Sequence, residues 1–368
     1  MRFTVTYRIL GSRTEARAKA SDICIEQSIE FPLHLVRNRR IKDRVVGQLL
    51  SLRECGAGAF AAEIGYAEET AAGELSQFLN VLFGNTSLKP GIRVESFSLT
   101  PRLRRVFSGP RFGVEGLRRL TGVKRRPFIC AALKPMGLDA RELADLAYRF
   151  ARGGVDLIKD DHGLSDQVYA PFDERVARVS EAVARANAET GLACLYAPNV
   201  TAGPDHVLPR GRTARRRGAG ALVVSPGLAG FPAVLALRQD HLVGLPILSH
   251  PALIGSFTVD ADSGIAHGAL YGLLARVAGA DATIFPNYGG RFAFTRDDCR
   301  RIVDGCSESF GGLKACYPAP GGGITMDRIP QLCDFYGPDV IFLMGGGLSG
   351  AGDDLEESCR TFRRLVGG

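Results

Sequence analysis

The chain has 368 residues, of which 45% are hydrophobic and 23% are charged, and its formal net charge is +7. This size suits one large domain with a small one, or two medium ones, and the lack of an apolar run of about 18 residues excludes a membrane-spanning helix. The nine cysteines include no Cys-x-x-Cys pair, which favours reduced thiols in a cytoplasmic protein over disulfides or a zinc site.

The first hundred residues predict a small α+β domain of the ferredoxin-like kind, which we place at residues 1–112. Its start reads as a strand and lacks the apolar core of a signal peptide. Strand-like and helical segments occur here without regular alternation, as is typical of α+β folds. A stretch rich in Pro, Gly and Arg at 107–113 predicts the domain junction. The predicted elements are strands at 3–9, 24–30 and 92–99 and a helix near 71–82.

From residue 127 onward, short apolar runs alternate regularly with helical stretches. Continuous apolar runs of this kind indicate parallel strands that are buried on both faces. Eight such units in roughly 250 residues predict a (β/α)₈ barrel, and their even spacing favours a closed barrel over an open doubly wound sheet. We therefore expect a barrel at residues 113–368. The predicted strands lie at 128–133, 155–159, 193–197, 221–224, 246–249, 282–285, 315–318 and 340–344.

The densest positive charge lies at residues 210–217, within one of the predicted helices. No aromatic residue interrupts this run, so we interpret it as a solvated helix face and expect no nucleic-acid partner. A basic surface also attracts anionic substrates.

Polar residues follow several of the predicted barrel strands, at the end of the barrel where ligands bind. Because these strand ends converge, we expect the residues to share one site. Lys134 and His250 are candidate general acids or bases. The residues in question are Lys134 after the first strand, Lys159, Asp161 and His162 after the second, Asn199 after the third, His250 after the fifth and Arg291 after the sixth.

Asp161 and His162 are candidate metal ligands, because they offer a carboxylate and an imidazole next to each other. Lys159 is a poor ligand as an ammonium ion, so it requires chemical modification to bind a metal, or it serves as an acid or base with a lowered pKa. Asp160 faces the other way if strand alternation continues, and we assign it no catalytic role.

Two glycine triplets follow the seventh and eighth predicted strands, at 321–323 and 345–347. Glycine lets backbone N–H groups approach an anion, and the loops after these two strands are the usual phosphate site of such barrels. The pair of triplets therefore predicts a phosphate cradle that includes Gly322, Gly323, Gly345, Gly346 and Gly347.

Together these motifs resemble the RuBisCO superfamily over the whole chain. The resemblance rests on the junction at 107–113, on Lys134-Pro135, on the Gly-Gly-x-Asp-x-x-Lys-x-Asp pattern at 153–161, on both glycine loops, and on Asn199 and Asn85. It implies that Lys159 is carbamylated by CO₂ and binds Mg²⁺ with Asp161. It also implies that Lys134 transfers a proton, and that Asn199 and His250 line the pocket.

The resemblance further implies a homodimer or a larger homo-oligomer with the active site at the subunit interface. Glu26 and Asn85 of the N-terminal domain would then reach the site of a neighbouring subunit and contact its substrate.

Several residues depart from the pattern of the carboxylases. His162 replaces the third metal ligand, a glutamate, and Arg291 replaces the lysine of the mobile loop. Met136, Pro251 and Ile284 replace a second lysine and two residues that hold a second phosphate. The chain therefore resembles a RuBisCO-like protein that is not a carboxylase, and we infer a substrate with a single phosphate.

The favoured reaction is decarboxylation, or carboxyl transfer with hydrolysis, of a phosphorylated 3-oxo sugar acid of the 3-oxo-isoapionate 4-phosphate type. The motif at 285–291 is associated with this branch, and the planar guanidinium of Arg291 suits a departing carboxylate. The alternative is an enolase or isomerase of methylthioribulose phosphate-type compounds in methionine salvage. A third hypothesis, of a different functional class, is a barrel that binds a phosphorylated metabolite without catalysing a reaction.

Overall fold

The structure is a computed structural model that describes residues 1–345, 348 and 354–367. An antiparallel sheet is formed mainly by the first hundred residues, and a parallel sheet is formed by later ones. The elements before the parallel sheet are β1 (Arg2–Leu10), α1 (Arg13–Glu26), β2 (Gln48–Gly56), β3 (Ala59–Ala67), α2 (Leu75–Phe83), β4 (Ile92–Phe97), α3 (Pro101–Val106) and α4 (Gly113–Thr121).

Strand β1 lies at the centre of the N-terminal sheet, between β3 and β4. Its side chains alternate strictly, and Phe3, Val5, Tyr7 and Ile9 are buried. This alternation is the period expected of a strand with one face on a core. Strands β2 and β3 form a hairpin that the sequence did not predict as such.

The predicted strand at 24–30 is wrong, because its first residues form the end of helix α1. The helix begins at a capping box in which Ser12 and Glu15 satisfy each other's backbone N–H groups. Its buried side chains include Ala16, Ala20 and Ile23, which are spaced at helical intervals. Helix α1 continues through Glu26, so the apolar residues Cys24 and Ile25 belong to its last turn and not to a strand.

The second part of the chain alternates strands and helices, as predicted. Its elements are β5 (Phe128–Leu133), α5 (Ala140–Arg152), β6 (Leu157–Asp160), α6 (Phe172–Thr190), β7 (Leu195–Ala197), α7 (Pro204–Arg216), β8 (Leu222–Val224), α8 (Pro226–Ala229), α9 (Phe231–Gln239), β9 (Ile247–Ser249), β10 (Gly264–Ile265), α10 (Ala275–Ala278), β11 (Ala282–Pro286), α11 (Arg296–Ser307), β12 (Tyr317–Gly321), α12 (Ile329–Tyr336), β13 (Ile341–Met344) and α13 (Leu355–Leu365).

Eight of these strands form the parallel sheet in the order β7-β6-β5-β13-β12-β11-β9-β8. The two end strands meet through hydrogen bonds from Val223 N to Pro198 O and from Val200 N to Val223 O, each 2.9 Å long. These bonds close the sheet, so the predicted barrel is confirmed. The remaining strand, β10, leaves the barrel and pairs with β4 of the N-terminal sheet.

The junction between the two parts is fixed by one buried carboxylate. Asp281, just before β11, accepts hydrogen bonds from Phe112 N at 2.7 Å, from Gly113 N at 2.8 Å and from Ile247 N at 3.0 Å. Gly113 has a φ of +64°, and a Cβ there would lie 2.8 Å from Ala315 O. The chain therefore enters the barrel at a fixed point. The division at residue 112 remains a prediction.

The predicted basic run lies at the end of α7, where several of its arginines pair with carboxylates. Arg212 lies 2.6 Å from Asp240, and Arg217 pairs with Asp173. The nine cysteines are free thiols, and most of them are buried. Within the described ranges, no helix is both long enough and apolar enough to cross a membrane.

Candidate active site

Strand β6 divides its side chains between the barrel interior and the surrounding helices. Leu157 belongs to the interior apolar cluster, so Lys159, two residues later, faces the same way and Asp160 faces the helices. Both ionisable residues are buried. The alternation therefore presents Lys159 and Asp161 at the mouth of the barrel and turns Asp160 away from it, as predicted.

Asp161 lies at the centre of the polar cluster at this mouth. Its Oδ1 is 3.4 Å from Lys134 Nζ and 3.0 Å from His162 Nδ1. Burial alone would raise the pKa of Asp161, but the hydrogen bond with His162 and the positive charges of Lys134 and Lys159 outweigh it and hold the pKa well below its usual range. Asp161 is thus an ionised carboxylate beside two basic side chains.

Lys159 lies beneath this cluster with its Nζ donating a 2.7 Å hydrogen bond to the Asp160 carbonyl oxygen. Burial lowers the pKa of the Lys159 ammonium, although Cys130 and Asp161 oppose the shift. A lower pKa favours the neutral amine, which is the form of lysine that reacts with CO₂.

His162 and His250 lie against each other, with ring centroids 4.4 Å apart. Ala252 N donates to His250 Nδ1 at 3.2 Å, so the proton of the neutral ring is on Nε2. Burial, assisted by the charges of Lys159 and His162, lowers the pKa of His250 to about 2. His250 is therefore a neutral hydrogen-bond donor rather than a general base.

Asp160 anchors a buried network behind the site that the sequence did not predict. Its carboxylate accepts from Arg175 Nε at 3.1 Å, from the Tyr196 hydroxyl at 2.7 Å and from Asn199 N at 3.0 Å. Arg175 also donates to Ala170 O at 2.5 Å and to Ser165 O at 2.7 Å. The network thus ties the loop that carries Asp161 and His162 to helix α6.

The sequence contains a feature that could have identified Arg175 as a buried residue with an anionic partner. Phe172, Val176, Val179 and Val183 form the buried stripe of α6, and Arg175 lies beside them with no exposed surface. A charge on a buried stripe requires an anionic partner. That partner is Asp160, the acidic residue to which no role was assigned.

The side chain of Asn199 is engaged by protein groups. Its Nδ2 donates to His162 O at 3.0 Å and to Leu164 O at 2.8 Å, while its Oδ1 accepts from Thr201 N and from the Thr201 hydroxyl. Asn199 therefore holds the loop that carries His162. Its contact with substrate remains a prediction.

The glycine loop after β12 packs tightly on the loop after β11. Gly323 has a φ of +65°, and a Cβ there would lie 2.6 Å from Gly290 Cα. Arg328, which the sequence did not single out, donates to Gly323 O at 2.6 Å and to Tyr288 O at 3.1 Å. Around Gly322 and Gly345 a Cβ would meet nothing within 4 Å. This open space fits the predicted anion cradle, but Gly346 and Gly347 lie outside the described residues.

Among the described residues, three predicted site residues make no hydrogen bond or ion pair with the polar cluster. Arg291 is exposed, and its guanidinium lies 4.9 Å from the centre of the Phe292 ring. Asn85 Nδ2 donates to Glu26 Oε1 at 2.9 Å, so these two N-terminal residues form one polar surface pair. Their contact with a neighbouring subunit remains a prediction.

The donor set at the mouth fits a metal ion only if Lys159 takes part. Among the described residues, no group of three or more His, Cys, Asp or Glu side chains is arranged to hold a metal. Asp161 and His162 supply two donors. A carbamate on Lys159 would supply an anionic oxygen as the third, which is the ligand type that Mg²⁺ prefers.

A model of a known protein family matches most of the chain. The family model described as "Ribulose bisphosphate carboxylase large chain, catalytic domain" matches residues 113–363. The ribulose bisphosphate carboxylase-like protein 1 of Rhodopseudomonas palustris is 42% identical over 365 residues, which cover 99% of this chain and 97% of that protein. The 5-methylthioribulose-1-phosphate isomerase of Rhodospirillum rubrum is 38% identical and covers 100% of this chain and 96% of its own length.

Solved structures give the same relationship. The crystal structure of a RuBisCO-like protein from Rhodopseudomonas palustris superimposes with a TM-score of 0.90 at 39% identity, over 99% of this chain and 97% of that one. An octameric RuBisCO from Pyrococcus horikoshii superimposes with a TM-score of 0.91 at 26% identity, over 99% and 87% of the two chains.

Proposed function

Because this chain belongs to the RuBisCO family as a RuBisCO-like protein, we propose that it is a metal-dependent enzyme that enolises a ketose monophosphate. The product is either an isomer or a stable enol. The substrate class that we favour is a 5-methylthioribulose 1-phosphate-type compound, the alternative considered from the sequence. This choice replaces the sugar-acid reaction as the leading hypothesis, since a close relative bears the name of a methylthioribulose phosphate isomerase.

The observation that carries the proposal is the position of Lys134. Its Nζ lies 3.4 Å from Asp161 Oδ1, and its side chain is 42% exposed at the mouth of the barrel. It can therefore reach a substrate held against Asp161 and move a proton to or from the carbon next to the carbonyl group. The neutral His250 would donate a hydrogen bond to a substrate oxygen from the opposite side.

The cofactor we propose is Mg²⁺, held by Asp161, by His162 and by a carbamate on Lys159. When bound, this ion would stabilise the negative charge that develops on the enediolate oxygens. The buried position of Lys159 and its lowered pKa support the carbamate.

The shape of the site supports a substrate with one phosphate. The space around Gly322 after β12 and Gly345 after β13 would let an anion approach the backbone N–H groups of these loops. By contrast, Ile284 faces the apolar interior cluster, and residues 251–259 contain no charged side chain. A second phosphate has no cation there, whereas an uncharged apolar group fits.

Decarboxylation or transcarboxylation of a 3-oxo sugar acid phosphate is a second candidate, supported by Arg291. In the described part of the chain, the Arg291 guanidinium makes no ion pair and is free to bind a carboxylate. The Arg291→Ala variant separates the two reactions, because it should abolish carboxylate release but leave enolisation of a ketose phosphate intact.

We further propose that the enzyme is a homo-oligomer with its site at a subunit interface. Exposed apolar side chains at Phe31, Leu33 and Leu35 follow Glu26 in the chain, and Met136 and Phe292 are exposed in the loops after β5 and β11. Burying such side chains against a second copy would bring the Glu26–Asn85 pair towards its site.

The test is solvent deuterium exchange into 5-methylthioribulose 1-phosphate and into a 3-oxo sugar acid phosphate, with Mg²⁺ and bicarbonate present. We expect exchange and isomerisation of the first compound without release of CO₂. Release of CO₂ from the second compound, with no exchange into the first, would favour the second candidate. Exchange into neither compound would eliminate enolisation of both.

A further inference from the structure

Leu253 has a backbone conformation that a leucine rarely adopts. It follows β9 by four residues, and its φ and ψ are 71° and −30°. A positive φ in a large non-glycine residue is a genuine outlier, since the side chain crowds its own backbone. Such strain persists only where the surrounding structure imposes it.

The neighbours of Leu253 impose this conformation. Ala252 N donates to the His250 ring, and Ile254 is buried. Both residues pack closely against α8 at Gly227, where an added Cβ would lie 2.4 Å from Ala252 O and 2.8 Å from Ile254 Cγ2. With both flanking residues fixed, the Leu253 side chain projects outward and is 65% exposed.

The position of Leu253 connects it to the site. It lies three residues after His250, whose ring contacts His162 beside Asp161. Glycine would adopt the same backbone conformation without strain. A leucine at this position therefore weakens the fold and adds only an exposed apolar side chain at the mouth.

We propose that Leu253 determines substrate specificity by contacting an apolar group at the end of the substrate remote from the phosphate. This inference rests on the proposed function, because it takes the substrate to be a ketose monophosphate. The uncharged loop at 251–259, with Phe257 and Val259 also exposed, provides the apolar surroundings that such a group requires.

The experiment compares 5-methylthioribulose 1-phosphate with ribulose 1-phosphate, which has a hydroxyl in place of the methylthio group. The dissociation constant of each is measured by calorimetry with Mg²⁺ and bicarbonate, and turnover is measured separately by deuterium exchange. For Leu253→Ala and Leu253→Gly we expect about tenfold weaker binding of the methylthio compound, as for loss of one apolar contact, and unchanged binding of ribulose 1-phosphate.

Stability gives an independent readout. Leu253→Gly should leave Tm unchanged or raise it by about 1–3 °C, because the strain is relieved. Leu242→Ala is the matched control: Leu242 is 67% exposed but precedes β9, at the opposite end of the barrel. It should alter neither dissociation constant.

Equal weakening of both compounds, or no weakening of the methylthio compound, would overturn the inference. So would a change in sedimentation velocity in the Leu253 variants, since it would assign the side chain to a subunit contact. Discrimination between the two compounds without deuterium exchange into either would contradict the proposed function and leave the role of Leu253 standing.

Discussion

The imidazole rings of His162 and His250 stack with their centroids 4.4 Å apart and their planes inclined by 15°. The two residues follow β6 and β9, strands that are not neighbours in the barrel. Their contact joins a candidate metal ligand to a neutral hydrogen-bond donor across the mouth. A glutamate at position 162 could not make this contact, because it has no ring to stack on His250.

His162 should change which metal the site prefers. An imidazole favours softer ions such as Zn²⁺, and a carboxylate favours Mg²⁺. We therefore expect His162→Glu to strengthen Mg²⁺ binding relative to Zn²⁺ by about tenfold, the usual order of effect for a change at a metal site. Calorimetric titration with each ion in bicarbonate buffer measures this ratio. His206→Glu, on the exposed surface of α7, is the control. An unchanged ratio would show that His162 is not a ligand.

Substitutions of Lys159 and Lys134 should have different effects, the first on metal binding and the second on proton transfer. Lys159→Met retains a buried apolar chain but has no amine to carbamylate, so metal affinity should lose its dependence on CO₂. Lys134→Met should retain that dependence and slow deuterium exchange by about 10²–10⁴-fold, as expected for loss of a general acid–base group. A carbamate signal in ¹³C NMR with labelled bicarbonate provides the direct measurement. Its persistence in Lys159→Met would place the carbamate elsewhere.

The barrel could be predicted because strands buried on both faces leave continuous apolar runs in the sequence. The N-terminal domain was harder, because residues 24–30 were interpreted as a strand although α1 extends to Glu26. The capping box at Ser12 and the helical spacing of the buried residues Ala16, Ala20 and Ile23 are the features that define this helix.

The site was predicted only in part. The barrel fold determines which residues lie at the strand ends, but it does not determine which of their side chains are in contact. The pattern at 153–161 illustrates both aspects. Asp156 belongs to it, yet lies at the other end of β6, where Arg126 binds its carboxylate with two 2.7 Å hydrogen bonds. Half of the pattern therefore builds the barrel and half builds the site. The partners of Asp160 come from α6 and β7, and their spacing in sequence gives no hint of that contact.

Asp160 should stabilise the fold and the metal site together. Asp160→Asn leaves the Arg175 guanidinium buried without a carboxylate, which costs about 3–5 kcal/mol. Tyr196→Phe removes one hydrogen bond and costs about 1–2 kcal/mol. Because the network holds the loop of Asp161 and His162, Tyr196→Phe should also weaken metal binding by about tenfold.

The matched control for Tyr196→Phe is Tyr148→Phe, which removes an exposed hydroxyl that donates to Glu189. It should shift stability by no more than about 0.5 kcal/mol and leave metal affinity intact. Denaturant unfolding and metal titration measure the two quantities. A Tyr196→Phe protein with lower stability but wild-type metal affinity would show that the network stabilises the fold without affecting metal binding.

Asp281 should make stability depend on pH between about 4 and 6. Burial raises its pKa to about 6, although the N–H groups of Phe112, Gly113 and Ile247 oppose the shift. The unfolded chain releases this proton near pH 3.9. Between these values the folded state holds a proton that the unfolded state has lost, so the contribution of Asp281 to the free energy of unfolding falls as pH rises, by about 3 kcal/mol in total.

The Asp281→Asn variant has no carboxyl group to titrate at this position. The stability advantage of wild type over Asp281→Asn should therefore be largest near pH 4 and shrink towards pH 6 and above. Denaturant unfolding from pH 4 to 8 measures the difference, and Asp334→Asn, on the exposed face of α12, should run parallel to wild type. An advantage that grows with pH would show that the three N–H donors outweigh burial and hold the carboxylate ionised.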